Sequence, residues 1–314
     1  MLVRGDVGAD LLLIFLLSIV AGLYVLANVG ERNRTARILA LIGGASVAGL
    51  AVLYGILAAG DPVAFGITTT TSIAIVVGGV LGFIYLLPPA QRVVARMIPL
   101  RAGSPVDYLT VVLGLLLVAQ QIGAKVPAGT PVTIGDMLAQ DIPLLILSFV
   151  GVGLFTRRPP REAAQRLGWM APRGKRWWLV AVLGIFAFLA IAYGIERVAD
   201  IVSPSSQQQV TNATNVVFSR FNNPAGVILL GLLPGLVEET LFRGALLPRL
   251  GILVTAVLFA ALHTQYGVTF ASLEVFVLGV ALGWLRVGSG STLPCIVTHA
   301  GYNIAVGVIP YLVR

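Results

Sequence analysis

Two histidines, two adjacent glutamates, an arginine and an asparagine are the residues of this 314-residue chain whose types and spacing can do chemistry in an apolar setting. His263 lies in VLFAALHTQYG, His299 in CIVTHAGYN, and Glu238 and Glu239 in LLPGLVEETLFRGALL; there is no other histidine. A carboxylate at bilayer depth is disfavoured by about 2–3 kcal/mol on insertion scales, so such a group marks function by default. On a helix turning about 100° per residue, Glu238 and Glu239 point to different faces. Arg243 follows Glu239 by four, the spacing of an ion pair. A structural Glu239–Arg243 pair accounts for two of these charges and leaves Glu238 free to line a cavity.

His299 and Asn303, also four apart, share one helix face. Taken singly, each of these polar groups is also what an interhelical contact needs. Together they put a carboxylate, two imidazoles and an amide on three apolar segments that can be aimed at one pocket. There a glutamate can take a proton from water and an imidazole can position that water. A second imidazole and a carboxamide can donate to the oxyanion of a tetrahedral intermediate. That set suits hydrolysis of a peptide bond, and no serine or cysteine stands as an evident nucleophile beside either histidine. Glu238, His263 and His299 equally suit three zinc ligands with an open fourth position. The residues do not choose between the two.

The elements carrying these groups must be membrane helices. The chain is 57% apolar and 11% charged, against about 25% charged residues in soluble domains. Its net charge of +8 is grouped in short segments between apolar runs, the pattern of loops facing anionic lipid rather than of nucleic-acid binding. Cys295 is the only cysteine and sits in an apolar run, where it packs as a small hydrophobe.

A crossing helix needs roughly 17–25 mainly apolar residues. The segments 11–29, 38–59, 66–88, 107–123, 142–156, 178–196, 225–242, 251–266, 268–286 and 292–311 qualify or nearly qualify. They predict an all-α polytopic transmembrane bundle of eight to ten spans. The first comes after Asp6 and Asp10 rather than a basic leader, which predicts a retained helix. Arg32, Arg34 and Arg37, then Arg92, Arg96 and Arg101, then seven basic residues in 157–176 fall in alternate loops. The positive-inside rule puts those loops in the cytoplasm and the N-terminus outside, with the cavity opening toward the cytoplasmic half at Glu238. Residues 197–224 read as a polar outside loop. The chain thus divides into added spans over 1–105, connecting helices over 106–224, and a catalytic core over 225–314.

Other polar residues have plainer readings. Thr68 to Ser72 and Gln120-Gln121 suit interhelical hydrogen bonds, and Gly279 with Gly283 suits a close helix contact. Glu274 is a third acid among apolar neighbours, set either on the pocket face or against a neighbouring helix.

Glu238-Glu239 to Arg243, Phe259 to His263, and His299 to Asn303 read in order as E-E-x-x-x-R, F-x-x-x-H and H-x-x-x-N. This order resembles the intramembrane proteases related to type II CAAX prenyl endopeptidases and bacteriocin-processing proteins (the CPBP or Abi family). FRGAL and GSTLPCIVTHAGYN add to the resemblance, which covers 225–309. It implies that Glu238 and His263 activate the hydrolytic water, that His299 and Asn303 stabilise the oxyanion, and that Glu239 and Arg243 support them. The family's description as metalloproteases implies zinc, although a metal-free glutamate mechanism is also proposed for the prenyl endopeptidases.

The expected protein is therefore a multi-pass hydrolase of a prokaryotic cell membrane. Its partners would be membrane lipid and a peptide or lipidated protein, such as a prenylated CAAX tail or a bacterial leader peptide, with no nucleic acid. A noncatalytic immunity or scaffold protein of the same fold is the main rival. A proton-coupled transporter would instead spread its acids over an inverted repeat.

Overall fold

Helices form wherever the sequence is apolar for long enough, because lipid offers backbone amides no other partner. A computed structural model of the protein describes residues 7–126, 129–263 and 266–312. Its helices are α1 (Val7–Gly30), α2 (Arg34–Gly60), α3 (Thr69–Ile84), α4 (Pro88–Val94), α5 (Pro105–Ala119), α6 (Ile134–Gly151) and α7 (Pro160–Arg166). They continue with α8 (Trp177–Val202), α9 (Pro204–Val217), α10 (Pro224–Glu239), a π-helical stretch (Thr240–Leu246), α11 (Leu247–Leu262), α12 (Phe270–Ser289) and α13 (Leu293–Leu312). No β-strand forms among the described residues. The protein is an all-α, multi-pass membrane bundle.

Local sequence sets where the helices start. Asn33, Thr68, Ser104 and Asn223 each accept a backbone N–H of the first turn, and Thr133 with Asp136 closes a capping box. Pro105 and Pro224 begin α5 and α10, where a missing N–H is harmless.

Among the described residues all ten apolar segments fall on helices (264–265, in the eighth, lie outside them), but fewer than the expected eight to ten are long and apolar enough to cross a membrane alone. Six qualify, or seven if α3 and α4, bent by 104°, make one span. α5 and α13 are shorter apolar helices, and the expected seventh and eighth spans run together as Pro224–Leu262. That run is not straight. At Gly251 the backbone takes φ 74° and ψ 176°, a region open to glycine. The chain folds back there: the Phe242 and Phe259 rings lie 5.1 Å apart, edge to face. At about 1.5 Å per residue, the returning leg from Gly251 to His263 rises only ~18 Å. That leg brings His263 back opposite Glu238, 3.9 Å away.

Hydrogen bonds and ion pairs knit the bundle at both ends. At one end Glu31, after α1, pairs with Arg101 and Arg157, while Arg249 at the start of α11 pairs with Asp107 of α5. Arg166 donates to Gly244 O, and Thr292 Oγ1 to Leu167 O. The three arginine-rich loops thus share one end of the molecule. At the other end Val132 N donates to Val217 O, Thr71 Oγ1 to Ile122 O, and Gln121 Nε2 to Ala261 O. The threonines and Gln121 make the interhelical bonds their positions suggest. The expected 197–224 loop differs: most of it is helical, as the end of α8 and as α9. Pro204 starts α9, and Val210, Ala213 and Val217 bury one face of an otherwise polar helix.

Glycines set the closest approaches. A Cβ on Gly235 of α10 would come within 2.9 Å of the Ala300 Cβ of α13, so only glycine lets these two helices meet. Gly279 and Gly283 of α12 do the same against Ala256 and Ile252 of α11. Cys295 is fully buried.

Candidate active site

α10 carries the glutamates to its end, after which the helix widens into π-helical turns. Such widened turns are frequent at functional sites, because they re-aim side chains. Glu239 and Arg243 are both fully buried, and Arg243 Nη1 donates to Glu239 Oε1 at 2.8 Å. Arg243 also donates to Gly279 O at 3.1 Å and lies 4.3 Å over the Phe259 ring. His299, on α13, meets the same Glu239 Oε1 through Nδ1 at 2.8 Å. A buried arginine, carboxylate and imidazole therefore join α10, α12 and α13.

Glu238 points away from that triad. Its Oε2 is buried and has no hydrogen-bond partner among the described residues. Across from it stands His263 Nε2, at 3.9 Å. That gap is too long for a direct hydrogen bond and suits one bridging water. His263 is fixed from behind, since its Nδ1 meets Phe259 O at 2.8 Å. A carbonyl only accepts, so Nδ1 carries a proton and a neutral ring turns a bare Nε2 toward Glu238.

Phe259 is the hub. Its ring lies 4.9 Å from that of His263 and 5.8 Å from that of His299, edge-on to each. With Arg243 also stacked on it, this one side chain spaces both imidazoles and the buried cation.

A cavity of about 670 Å³ is lined by Glu238, Phe259, His263, His299 and Asn303. Asn303 thus shares the pocket with His299 one helical turn away. Glu274 resolves as both of its readings at once: it lines the cavity and accepts the Tyr302 hydroxyl of α13 at 2.8 Å.

Asp141 is an acid that hydropathy along the chain passes over. It is 3% exposed, lies within α6 and lines the same cavity. The apolar window starts at 142 and so leaves it out, although the Thr133–Asp136 capping box starts the helix eight residues earlier. Glu196, at the edge of its expected span, also lines the cavity.

The cavity's place differs from the expected cytoplasmic opening. Its lining runs up through Pro234, Leu230 and Val227 to Asn222, and includes Thr211 and Asn215 of α9. The exposed residues Asn222, Thr211 and Asn215 belong to the end opposite the arginine-rich loops. Glu238 lies fourteen residues past Pro224, about 21 Å along the helix, so it forms the floor of the cavity rather than its mouth.

No three His, Cys, Asp or Glu side chains among the described residues gather closely enough to hold a metal ion. In this geometry Glu238, His263 and His299 do not form a ready three-ligand set, and Nδ1 of His299 is already taken by Glu239.

Residues 220–305 match the family model described as type II CAAX prenyl endopeptidase Rce1-like. No curated protein and no solved structure matches the chain. The matched stretch holds both histidines, the Glu238–Arg243 segment and Asn303. Over residues 220–305 the chain is therefore similar to the Rce1-like family of type II CAAX prenyl endopeptidases.

Proposed function

We propose that this protein is an intramembrane endopeptidase in which Glu238 and His263 activate water. The observation that carries the reading is the unpartnered Glu238 Oε2 facing His263 Nε2 across 3.9 Å on the wall of a large cavity. A water held between them gives its proton to Glu238, and its oxygen bonds the scissile carbonyl carbon. The carbonyl oxygen takes the negative charge and accepts hydrogen bonds from the Asn303 amide and from Nε2–H of His299 in its doubly protonated form, whose other proton sits on Nδ1 against Glu239. Glu238 then delivers the proton to the departing nitrogen as the C–N bond breaks. A carboxyl group and an amine result.

Glu239 and Arg243 work from behind. The arginine neutralises the carboxylate, and the carboxylate fixes the His299 ring through Nδ1. The hydrolytic route needs nothing beyond the chain's own residues and water. The substrates that fit are prenylated CAAX tails or bacterial membrane and leader peptides.

The test is cleavage of a pool of such peptides by reconstituted protein, with wild type beside Glu238→Ala and His263→Ala, each with and without a zinc chelator. Loss of cleavage in both variants and indifference to the chelator is the expected outcome. Cleavage that survives Glu238→Ala would sink the mechanism, and chelator-sensitive cleavage would move water activation to a metal.

A further inference from the structure

The cavity is one-sided in place and in charge. Four acidic side chains line it (Asp141, Glu196, Glu238 and Glu274), and among the described residues no lysine or arginine does. Asp141 is almost fully buried in the wall, and Glu196 is exposed at the rim. Glu274 is held by the hydroxyl of Tyr302, the residue immediately before Asn303. A narrow cleft of one sign concentrates its field, favours the opposite charge and raises its rate of arrival about ten-fold or more.

Place is set by the two ends of the bundle. The lining takes exposed Thr211, Asn215 and Asn222 from around α9 and nothing from the basic segment 157–177. Short loops rich in arginine stay in the cytoplasm. The mouth lies at the other end.

We propose that the active-site cavity is filled from the extracytoplasmic face, and that its substrate is a peptide presenting a cationic side chain beside the scissile bond. This rests on the endopeptidase reading of the same cavity and narrows its substrate class to extracytoplasmic membrane and leader peptides, setting prenylated CAAX tails aside. A carboxylate at that position would meet Glu274 and Asp141 with no basic lining residue to offset them.

The test reads accessibility and charge without needing turnover. Cys295, the only cysteine, is fully buried, so an introduced thiol reports alone. In intact cells a membrane-impermeant maleimide is expected to label Thr211→Cys and to spare Lys175→Cys until the membrane is opened. The reverse pattern would overturn the placement. At Val306→Cys, inside the cavity, a cationic methanethiosulfonate should react about ten-fold faster or more than an anionic one, once each rate is normalised to a free thiol. That ratio should fall toward one in Asp141→Asn/Glu274→Gln, and a ratio near one in the parent protein would remove the charge preference. In a Glu238→Ala background, a hydrophobic peptide with a central lysine should slow Val306→Cys modification more than its glutamate counterpart. Equal protection would overturn the substrate class. Failure of peptide cleavage, by contrast, would count against the endopeptidase reading while leaving these labelling results intact.

Discussion

His299 Nδ1 meets the very oxygen of Glu239 that takes Arg243 Nη1, both at 2.8 Å. One carboxylate oxygen therefore balances a buried guanidinium and orients an imidazole on another helix. Breaking a buried pair from one side strands a charge, which destabilises by about 3–5 kcal/mol. Arg243→Ala and Glu239→Ala should each lower the melting temperature in detergent sharply. The double variant should lose clearly less than the sum of the two. Additive losses would show that the two side chains do not support each other.

Phe259 should matter beyond its volume. Phe259→Ala removes a buried ring and is expected to destabilise by about 3–5 kcal/mol. Phe259→Leu keeps most of the apolar packing but loses the edge that spaces both imidazoles. Its melting temperature should stay near that of the parent while kcat falls by about ten-fold or more, the scale of a misplaced catalytic group. Unchanged kcat in Phe259→Leu would limit the ring to packing.

The hydrogen bonds fix the tautomers. Nδ1 of His263 faces a carbonyl and Nδ1 of His299 faces a carboxylate, so both Nδ1 atoms should bear protons. Nitrogen-15 spectra of labelled protein, assigned with single His→Gln variants, would check this. A neutral His263 protonated at Nε2 would contradict the arrangement facing Glu238.

Arg249 and Asp107 bind the start of α11, just before the fold-back, to α5, a helix outside the stretch matched by the family, and both are largely buried. Arg249→Ala should destabilise by about 3–5 kcal/mol and loosen the seat of His263. Cleavage should fall while Glu238 and both histidines remain in place chemically. Retained stability would show that the first five helices do not brace the catalytic half through this pair.

Much of this was legible in the residues themselves. Ten apolar stretches and alternating arginine loops gave the bundle and its two ends, and the only two histidines marked the candidate site. Asp141 escaped because the apolar window opens only at Ile142, while the helix starts where Thr133 and Asp136 can cap it. α9 escaped because its composition is polar and only three of its residues are buried. The mouth escaped because a cavity is shaped by helices far apart in sequence, and Thr211 carries no local sign that it faces Glu238's pocket. The shared oxygen of Glu239 belongs to the same class: spacing pairs Glu239 with Arg243, but only packing brings His299, sixty residues onward, to the same atom.

The fold-back at Gly251 bears on how the protein is made. Glu238 and His263 sit on the two legs of one helical hairpin, and Glu239 has Arg243 as a partner within the same turn. This hairpin can enter the bilayer as a unit during synthesis with its fully buried Glu239–Arg243 pair already matched. His299 and Asn303 reach it only with α13, the last helix described. On the proposed mechanism, a nascent chain would thus carry the water-activating pair before it carries the groups that would hold an oxyanion, and cleavage would wait for the last helix.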